Sequence, residues 1–260
     1  AVTRHPSAFN SRHAQPLPPP PAPPRPLPNP PCHPGLLASK QSRLSSLLPR
    51  TMKLLALLML RALDSDPEAL ILHGSYELGD FNYFQRGRVK EFVNFFAKTL
   101  AKRVPAGQRS SVEHEEYICH VHSRANRVVA VALCDREYPP RVAFTFLMKA
   151  HEAFAARVPD ETWLATTRAA AEAAAEGGPC HVAELDGELV RYRDPATADS
   201  IMKMQNDLDE TKIILHKTID SVLERGVKLD QLVEKSNDLS VSSKMFYQTA
   251  QDQNSCCSMM

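Results

Sequence analysis

The sequence predicts an α+β domain over residues 52–190, followed by a long coiled-coil helix over residues 200–255. Short apolar runs lie on both sides of an amphipathic helical pattern in the first range, which is typical of an α+β domain. In the second range, apolar residues recur at alternating steps of three and four, which is the pattern of a coiled coil. Residues 1–51 differ from both ranges, since they hold 14 of the 21 prolines and no acidic residue.

Residues 1–51 form a proline-rich extension that we expect to be disordered. Each proline removes a backbone donor and fixes φ, which favours polyproline II or disorder. Six basic residues give the extension a charge of +6, which leaves −5 for the remainder of a chain whose net charge is +1. Such a tract could bind SH3-type domains or act as an organellar transit peptide. Because Met52 opens the well-patterned part, we favour an upstream or artefactual extension without a fold.

The elements of the α+β domain follow from its apolar pattern. Apolar runs predict four strands, at 53–61, 68–73, 111–122 and 127–135. An apolar stripe at helical spacing predicts a helix over 88–103, and Pro139-Pro140 start a second helix over 141–157. A third helix follows from Ala/Glu propensity over 168–176, and it ends at the Gly177-Gly178-Pro179 sequence.

Composition excludes several classes of protein. The 9 glycines include no glycine-rich nucleotide-binding motif, and the near-neutral charge does not indicate a nucleic-acid binder. The longest apolar run, 54–60, is far shorter than the ~20 residues that cross a bilayer, so we expect a buried strand rather than a signal peptide. We therefore predict no membrane-spanning helix, no nucleic-acid partner and no small-molecule substrate.

The six cysteines do not indicate a disulfide framework or a metal site. They are scattered and form no C-x-x-C pair, which favours a reduced compartment. A metal site could be imagined from Cys119, His120, His122 and Cys134. In a strand, however, neighbouring residues point to opposite faces, so we expect no convergence on one ion.

An enzyme built on the α+β domain is the main alternative from another class. Its catalytic residues would be Ser110, Ser111, His114, Glu115 and Glu116. Their spacing fits no nucleophile motif, so we interpret them as a solvated strand end.

The coiled-coil pattern defines a seam of 16 positions, of which ten are apolar and four carry a small hydroxyl side chain. A helix with so narrow a stripe must bury it against partner helices, or fold back as a long surface helix on the 52–190 domain, and both arrangements can exist in different states. The seam consists of Ile201, Met204, Leu208, Thr211, Leu215, Thr218, Val222, Arg225, Leu229, Leu232, Ser236, Leu239, Ser243, Phe246, Ala250 and Gln253.

Arg225 is the one charged residue of this seam. A guanidinium in a helical core costs several kcal/mol unless polar groups of neighbouring helices meet it. Its use there would be to fix register and partner choice, whereas at the rim it would extend its charge to solvent. The residues in phase on both sides favour the core position.

The carboxyl terminus carries a lipidation pattern. Cys257-Ser258-Met259-Met260 fits the C-a-a-X motif, whose terminal Met favours farnesylation of Cys257. Because one lipid gives only weak attachment, a second signal is expected, and the adjacent Cys256 is the palmitoylation candidate. We assign residues 256–260 as a lipidation tail and predict no cofactor besides these covalent lipids.

Several stretches of the chain resemble the longin-type R-SNAREs, and in particular the Ykt-type members that have lipids instead of a transmembrane anchor. In the carboxyl-terminal part, the resemblance rests on 208–216, 223–226, 228–230 and 253–257. In the α+β domain, it rests on 84–86, 117–121, 137–139 and 141–145. It covers about 52–260, and residues 1–51 have no counterpart.

The resemblance implies a membrane-fusion SNARE on a longin (profilin-like) fold, with a five-stranded antiparallel sheet that has one helix on one face and two on the other. Arg225 would form the ionic layer with glutamines from three Q-SNARE helices, and the other seam residues would be the packing layers. The protein would occur in the cytosol and, through its lipids, on the cytoplasmic face of Golgi, ER and endosomal or vacuolar membranes.

In the cytosol, the seam and the lipid would both be exposed apolar surfaces. We expect residues 200–253 to fold back over the longin domain and hide them, with Phe95 as a candidate contact for that closed state; ordinary edge-of-core packing is the alternative for Phe95. A lipidated trafficking adaptor without a fusogenic role is the alternative for the protein as a whole.

Overall fold

The computed structural model describes residues 53–174, 177–193, 212–223 and 226–257, with side chains described up to residue 249. All of these residues lie in one compact unit, 50–260. The predicted disordered extension, 1–51, lies outside the described residues.

A six-stranded mixed sheet forms the centre of the fold, in the order β2-β1-β5-β4-β3-β6. The first five strands pair antiparallel, whereas β6 runs parallel to β3. The expected five-stranded antiparallel sheet was therefore one strand short, because the carboxyl-terminal segment supplies β6. The strands are β1 Leu54–Arg61, β2 Leu70–Tyr76, β3 Arg109–His114, β4 Tyr117–Ser123, β5 Val128–Asp135 and β6 Ile213–His216.

Strand β1 confirms the interpretation of the longest apolar run. Every residue of Leu54–Arg61 is buried, since β1 lies between β2 and β5 with helices over both faces. Two apolar clusters result: Leu57 and Met59 belong to one side of the sheet, and Leu58 and Leu60 to the other. Among the described residues, no helix is long and apolar enough to cross a membrane.

The predicted single strand over 111–122 is wrong, because the chain turns back within it. Strands β3 and β4 form a hairpin in which His114 pairs with Tyr117. Glu115 takes φ 53° in the turn. This left-handed conformation is usually adopted by Gly or Asn, and those residues would have indicated a turn in the sequence. With glutamates at both turn positions, the sequence carries no such signal.

Helix α1, Tyr83–Arg103, covers one face of the sheet. It begins five residues before the predicted start, where the Asn82 side chain accepts a hydrogen bond from the Phe84 amide at 3.3 Å. Its buried residues include Val93, Phe95 and Leu100, which pack against the sheet.

Helices α2, Pro140–Arg157, and α5, Ala183–Tyr192, cover the opposite face. Pro140 occupies the first turn of α2, as predicted. The two helices share a core with the sheet, and the Tyr138 hydroxyl donates to the Tyr192 carbonyl at 2.6 Å. The expected distribution of one helix and two helices on the two faces is confirmed.

Two short helices, α3 Asp160–Ala165 and α4 Arg168–Ala173, connect α2 to the edge of the sheet at β2. Gly178 has φ +89°, and a Cβ there would lie 2.6 Å from the Leu72 carbonyl oxygen, so this close approach requires glycine. The Cys180 amide donates to that same carbonyl at 2.8 Å. The outer edge of β2 is thereby covered by the chain itself.

Candidate functional site

The carboxyl-terminal segment, residues 212–257, folds back onto the α+β domain. After β6 it forms a 3-10 turn at Ile219–Ser221, helix α6 at Leu229–Lys235 and helix α7 at Val241–Cys257. The predicted single helix is therefore wrong for the described part of the segment in this conformation. Gly226, at φ +91°, interrupts it, and one isolated helix would leave the narrow apolar stripe without a partner.

Strand β6 attaches the segment to the edge of the sheet. Residues 213–216 pair in parallel register with residues 109–112 of β3. The side chains of Ile213 and Leu215 are 40% and 56% exposed, so the backbone ladder rather than apolar burial holds this strand. The pairing satisfies backbone groups that the edge of a five-stranded sheet would leave open.

Apolar burial begins after β6. The seam residues Leu229 and Leu239 are buried in the apolar cluster between α1 and the sheet, the one that contains Leu58 and Leu60. Three residues that lie off the seam are buried in the same cluster: Ile219, Leu223 and Val233. The surface that contacts the domain therefore includes only part of the predicted stripe, because the broken segment presents different faces from those of one straight helix.

The described seam residues divide by burial. Leu229, Leu239 and Ser243 are buried, whereas Val222, Leu232 and Ser236 are half-buried. The exposed seam residues are Leu215, Thr218 and Phe246. Folding back thus hides only part of the surface that partner helices would bury.

The remaining seam residues and the two lipidation cysteines lie wholly or partly outside the described part of the chain. Ile201, Met204, Leu208, Thr211 and Arg225 lie outside the described residues. The backbone of α7 includes Ala250, Gln253, Cys256 and Cys257, but their side chains lie outside the described part of the chain.

Phe95 lies at the contact between α1 and the segment. It is 6% exposed and belongs to the apolar cluster that also contains Leu229 and Val233. It lines a groove of about 430 Å³ together with Leu232 and Ser236. This position is compatible with a closed-state contact, and that role stays a prediction.

Two polar contacts join α1 to the start of α7. The Ser240 amide donates to a Glu91 carboxylate oxygen at 2.8 Å, and Lys98 forms an ion pair with Asp238 at 2.9 Å. Burial opposes ionisation of Glu91, but hydrogen bonds from Ser240 and Ser243 outweigh it and lower the pKa of the carboxyl group. Sequence reasoning missed these residues. Glu91 and Lys98 are seven positions apart on α1, but only the folded-back segment reveals their partners.

An apolar cavity of about 320 Å³ lies between α1, the sheet and α7. Its wall includes Val89, Phe96 and Leu133 from the domain, and Phe246 and Tyr247 from the segment. Burial and a hydrogen bond to Asp230 at 2.9 Å raise the pKa of Tyr247, which keeps its hydroxyl neutral. The cavity can accept an apolar chain and offers few polar partners.

The fold does not bring together the residues that the enzyme alternative would use for catalysis. Ser111 faces His120, with 2.8 Å between Oγ and Nδ1, whereas His114 lines the apolar cavity on the other side of the sheet. Cys119 and His120 lie on opposite faces of β4, as strand alternation predicts, since Cys119 belongs to the cluster that packs against α1 and His120 packs against Phe144 of α2.

Comparisons with known proteins agree with the geometry. Residues 78–175 match the Longin family, described as a regulated-SNARE-like domain, and residues 200–259 match the Synaptobrevin family. The predicted domains at 52–190 and 200–255 overlap these matches without sharing their limits.

Curated relatives are similar over most of the chain. Synaptobrevin homolog YKT6 of Candida glabrata is 46% identical over 75% of this chain and 92% of its own length. The protein of the same name in Saccharomyces cerevisiae is 45% identical over 74% and 93%, respectively. The VAMP-like protein YKT61 of Arabidopsis thaliana is 46% identical over 80% of this chain and 100% of its own length.

These relatives exclude the enzyme alternative, since longin-type SNAREs are non-enzymatic trafficking proteins. The α+β domain is accordingly a longin domain, and the folded-back segment is the synaptobrevin-like region. The chain belongs to the Ykt6 family of synaptobrevin homologues, which act as R-SNAREs in vesicle trafficking.

Proposed function

We propose that this R-SNARE alternates between the closed form described above and an open form that assembles with three Q-SNARE helices. The observation that carries the proposal is the folded-back segment, which occupies β3, the apolar face of α1 and the polar contacts at Glu91 and Lys98. The buried Leu229 and Leu239 are seam residues, so a four-helix bundle cannot form until they leave the longin domain. The domain therefore competes with partner helices for the same side chains.

Arg225 supplies the polar layer of the proposed bundle. Because it is in phase with apolar seam positions on both sides, its guanidinium would lie inside the bundle, where glutamine side chains from three partner helices can accept its hydrogen bonds. Its desolvation is then offset in only one register. This would fix the alignment of the four helices before the membranes are drawn together.

Membrane attachment would come from a farnesyl chain on Cys257 and a palmitoyl chain on Cys256. In the closed form, the apolar cavity beside Phe246 and Tyr247 would receive the prenyl chain, since about 320 Å³ lies at the lower end of the ligand-pocket range. Cys257 lies eleven positions after Phe246, or about 17 Å along α7, so the prenyl chain would have to run back along the helix. Palmitoylation would favour the open, membrane-bound form.

The proposed locations follow from this exchange. The closed chain, with part of its seam and its lipid covered, would reside in the cytosol. The doubly lipidated chain would lie on the cytoplasmic face of Golgi, ER and endosomal or vacuolar membranes.

The test is assembly of the full chain with sets of three Q-SNARE helices. We expect a helical complex that resists detergent, and we expect Arg225→Glu to weaken it and to slow fusion of reconstituted liposomes. A matched control is Lys212→Glu, which makes the same charge change at an exposed position off the seam. Failure of the wild-type chain to assemble with any Q-SNARE set, or equal fusion by the Arg225→Glu variant, would overturn the proposal.

A further inference from the structure

Two adjacent aromatic side chains project from the beginning of α1. Tyr83 and Phe84 are 78% and 80% exposed, and their rings contact each other edge to face with centroids 5.7 Å apart. Exposed aromatic rings that pack mainly on one another are rare on proteins that act alone in water, and they mark surfaces that meet a protein or a membrane. The longin core does not need them, since Val93, Phe95 and Leu100 provide the buried face of α1.

The charged residues that directly follow this pair along α1 are basic. From Asn82 to Lys90 the chain carries Arg86, Arg88 and Lys90 and no acidic residue. Arg86 donates to the carbonyl oxygens of Phe81 and Gly79, at 3.0 and 2.9 Å. These acceptors are neutral, so the two hydrogen bonds do not cancel its positive charge.

The acidic group that precedes the pair does not cancel these charges. Asp80 is paired with both Lys53 and Arg193, at 2.6 and 2.9 Å. The beginning of α1 therefore combines exposed aromatic rings with net positive charge. Anionic lipid headgroups complement that charge, and the interfacial region of a bilayer favours aromatic rings.

The direction of α7 places the same end of the molecule near the lipidation tail. Helix α7 begins beside Glu91, and its Phe246 reaches Arg88, whose guanidinium carbon lies 5.6 Å from the ring centroid. The helix thus advances toward the beginning of α1 and continues for eleven residues beyond Phe246 to Cys257.

We propose that the beginning of α1 is a membrane-contact surface, with Tyr83 and Phe84 inserting at the headgroup level of an anionic bilayer and Arg86 facing its headgroups. Arg88, which lies against Phe246 in the closed form, would join Arg86 there once α7 leaves α1. This rests on the proposed function only in placing the lipidated tail at the same membrane. The contact would give the longin domain a fixed orientation on the bilayer, which one flexible lipid cannot supply.

The test uses the full chain without lipids, so the result does not depend on Cys256 or Cys257. We expect it to float with vesicles of phosphatidylcholine and phosphatidylserine more than with phosphatidylcholine alone. The Tyr83→Ser/Phe84→Ser variant should bind about tenfold more weakly. The matched control is Leu164→Ser/Val190→Ser, which removes two apolar side chains that are 50% and 59% exposed elsewhere, and it should bind as the wild type does.

A second readout measures insertion directly. The chain has one tryptophan, Trp163, which is 3% exposed, so the wild type reports a buried reference. In a Phe84→Trp variant, brominated lipids should quench the added fluorescence and leave that of Trp163 unchanged. Absence of vesicle binding by the unlipidated chain, equal binding by the Tyr83→Ser/Phe84→Ser variant, or an unquenched Trp at position 84 would overturn the proposal.

Discussion

Glu91 illustrates how single residues of α1 hold a segment distant in sequence. Its carboxylate accepts the Ser240 amide at the point where α7 begins, so it satisfies a backbone donor that the helix itself leaves open. Ser240 adds its own cap, because its hydroxyl accepts the Ser243 amide at 3.2 Å. The start of α7 therefore depends on one residue of the longin domain and one of the segment.

Replacing Glu91 with Ala should loosen α7 without unfolding the longin domain. Loss of one hydrogen bond to a charged group costs about 1.5 kcal/mol, which is roughly a tenfold change in the opening equilibrium. Amide hydrogen exchange over 240–247 should accelerate by that factor in Glu91→Ala. Glu152→Ala, an exposed acidic position on α2, is the control, and equal exchange in both variants would contradict the prediction.

The same contact predicts a pH dependence of closure. Because the pKa of Glu91 is lower in the closed form than its ordinary 4.5, its stabilisation is fully present above pH 4.5 and is lost as the pH falls through the lowered value. Exchange over 240–247 should therefore differ between wild type and Glu91→Ala at pH 7 and converge in acid. A difference that persisted below the lowered pKa would show that the carboxylate charge is not the cause.

A charge at position 95 should release the segment. Phe95 is almost fully buried beside Leu229 and Val233. Burying a carboxylate there would reduce the free energy that favours the closed form by at least about 2 kcal/mol, which lowers the ratio of closed to open chains roughly 30-fold. We expect Phe95→Glu to raise the hydrodynamic radius and to remove exchange protection from 213–216 and 229–247. Phe95→Leu, which keeps an apolar contact, should stay closed. If Phe95→Glu lowered the melting temperature but left those amides protected, ordinary core packing would explain Phe95.

At the scale of the elements, the opposite side of the sheet contains histidines that burial keeps neutral. The Val182 amide donates to His73 Nδ1 at 3.2 Å, so the proton of His73 resides on Nε2, 2.8 Å from Ser75 Oγ. His151 donates from Nε2 to the His122 carbonyl oxygen at 3.0 Å. These bonds join β2 to the start of α5 and β4 to α2.

Protonation should therefore destabilise the longin domain in mild acid. Burial lowers the pKa of His73 and His120 to about 4 and that of His151 to about 3, from 6.5. Below pH 6.5 these histidines become protonated in the unfolded chain but stay neutral in the folded chain. The free energy of unfolding therefore falls by up to about 1.4 kcal/mol per pH unit for each histidine, until about pH 4. Melting temperatures from pH 7 to pH 5 should decline less steeply in His120→Asn than in the wild type. His216→Gln, in β6, is the control, and a slope unchanged by His120→Asn would refute this account.

Elements with strong local signals were predictable, and those set by distant partners were not. The buried run 54–60 and the Pro140 helix start were correct because their causes lie within a few residues. The β3–β4 turn was missed because Glu115 adopts a positive φ that its residue type does not indicate. Strand β6 was missed because 213–216 becomes a strand only through the edge of β3, and the same residues belong to a coiled-coil pattern.

For the whole molecule, this conflict between local pattern and observed structure is itself informative. The seam at steps of three and four describes a bundle with other chains, whereas the breaks at Gly226 and between α6 and α7 describe the closed form. In the proposed exchange, one sequence would satisfy two packings. The folded-back form leaves Leu215 and Phe246 exposed, so partner helices would engage these two residues first.

The proposed membrane attachment also concerns the whole molecule, because it would combine lipids on Cys256 and Cys257 with the state of the fold. We predict that Cys257→Ser moves most of the protein to the cytosolic fraction, since palmitoylation of Cys256 would have no prior anchor and the proposed contact at the beginning of α1 is weaker than a lipid anchor. Cys256→Ser should instead keep weak, reversible attachment through one chain. Ser255→Ala keeps both cysteines and serves as the control, and intact mass measures which lipids each variant carries. Wild-type membrane recovery of Cys257→Ser would show that the anchor lies elsewhere in the chain. In that case, adding Tyr83→Ser/Phe84→Ser to the Cys257→Ser variant would test whether the contact at the beginning of α1 holds the protein on the membrane.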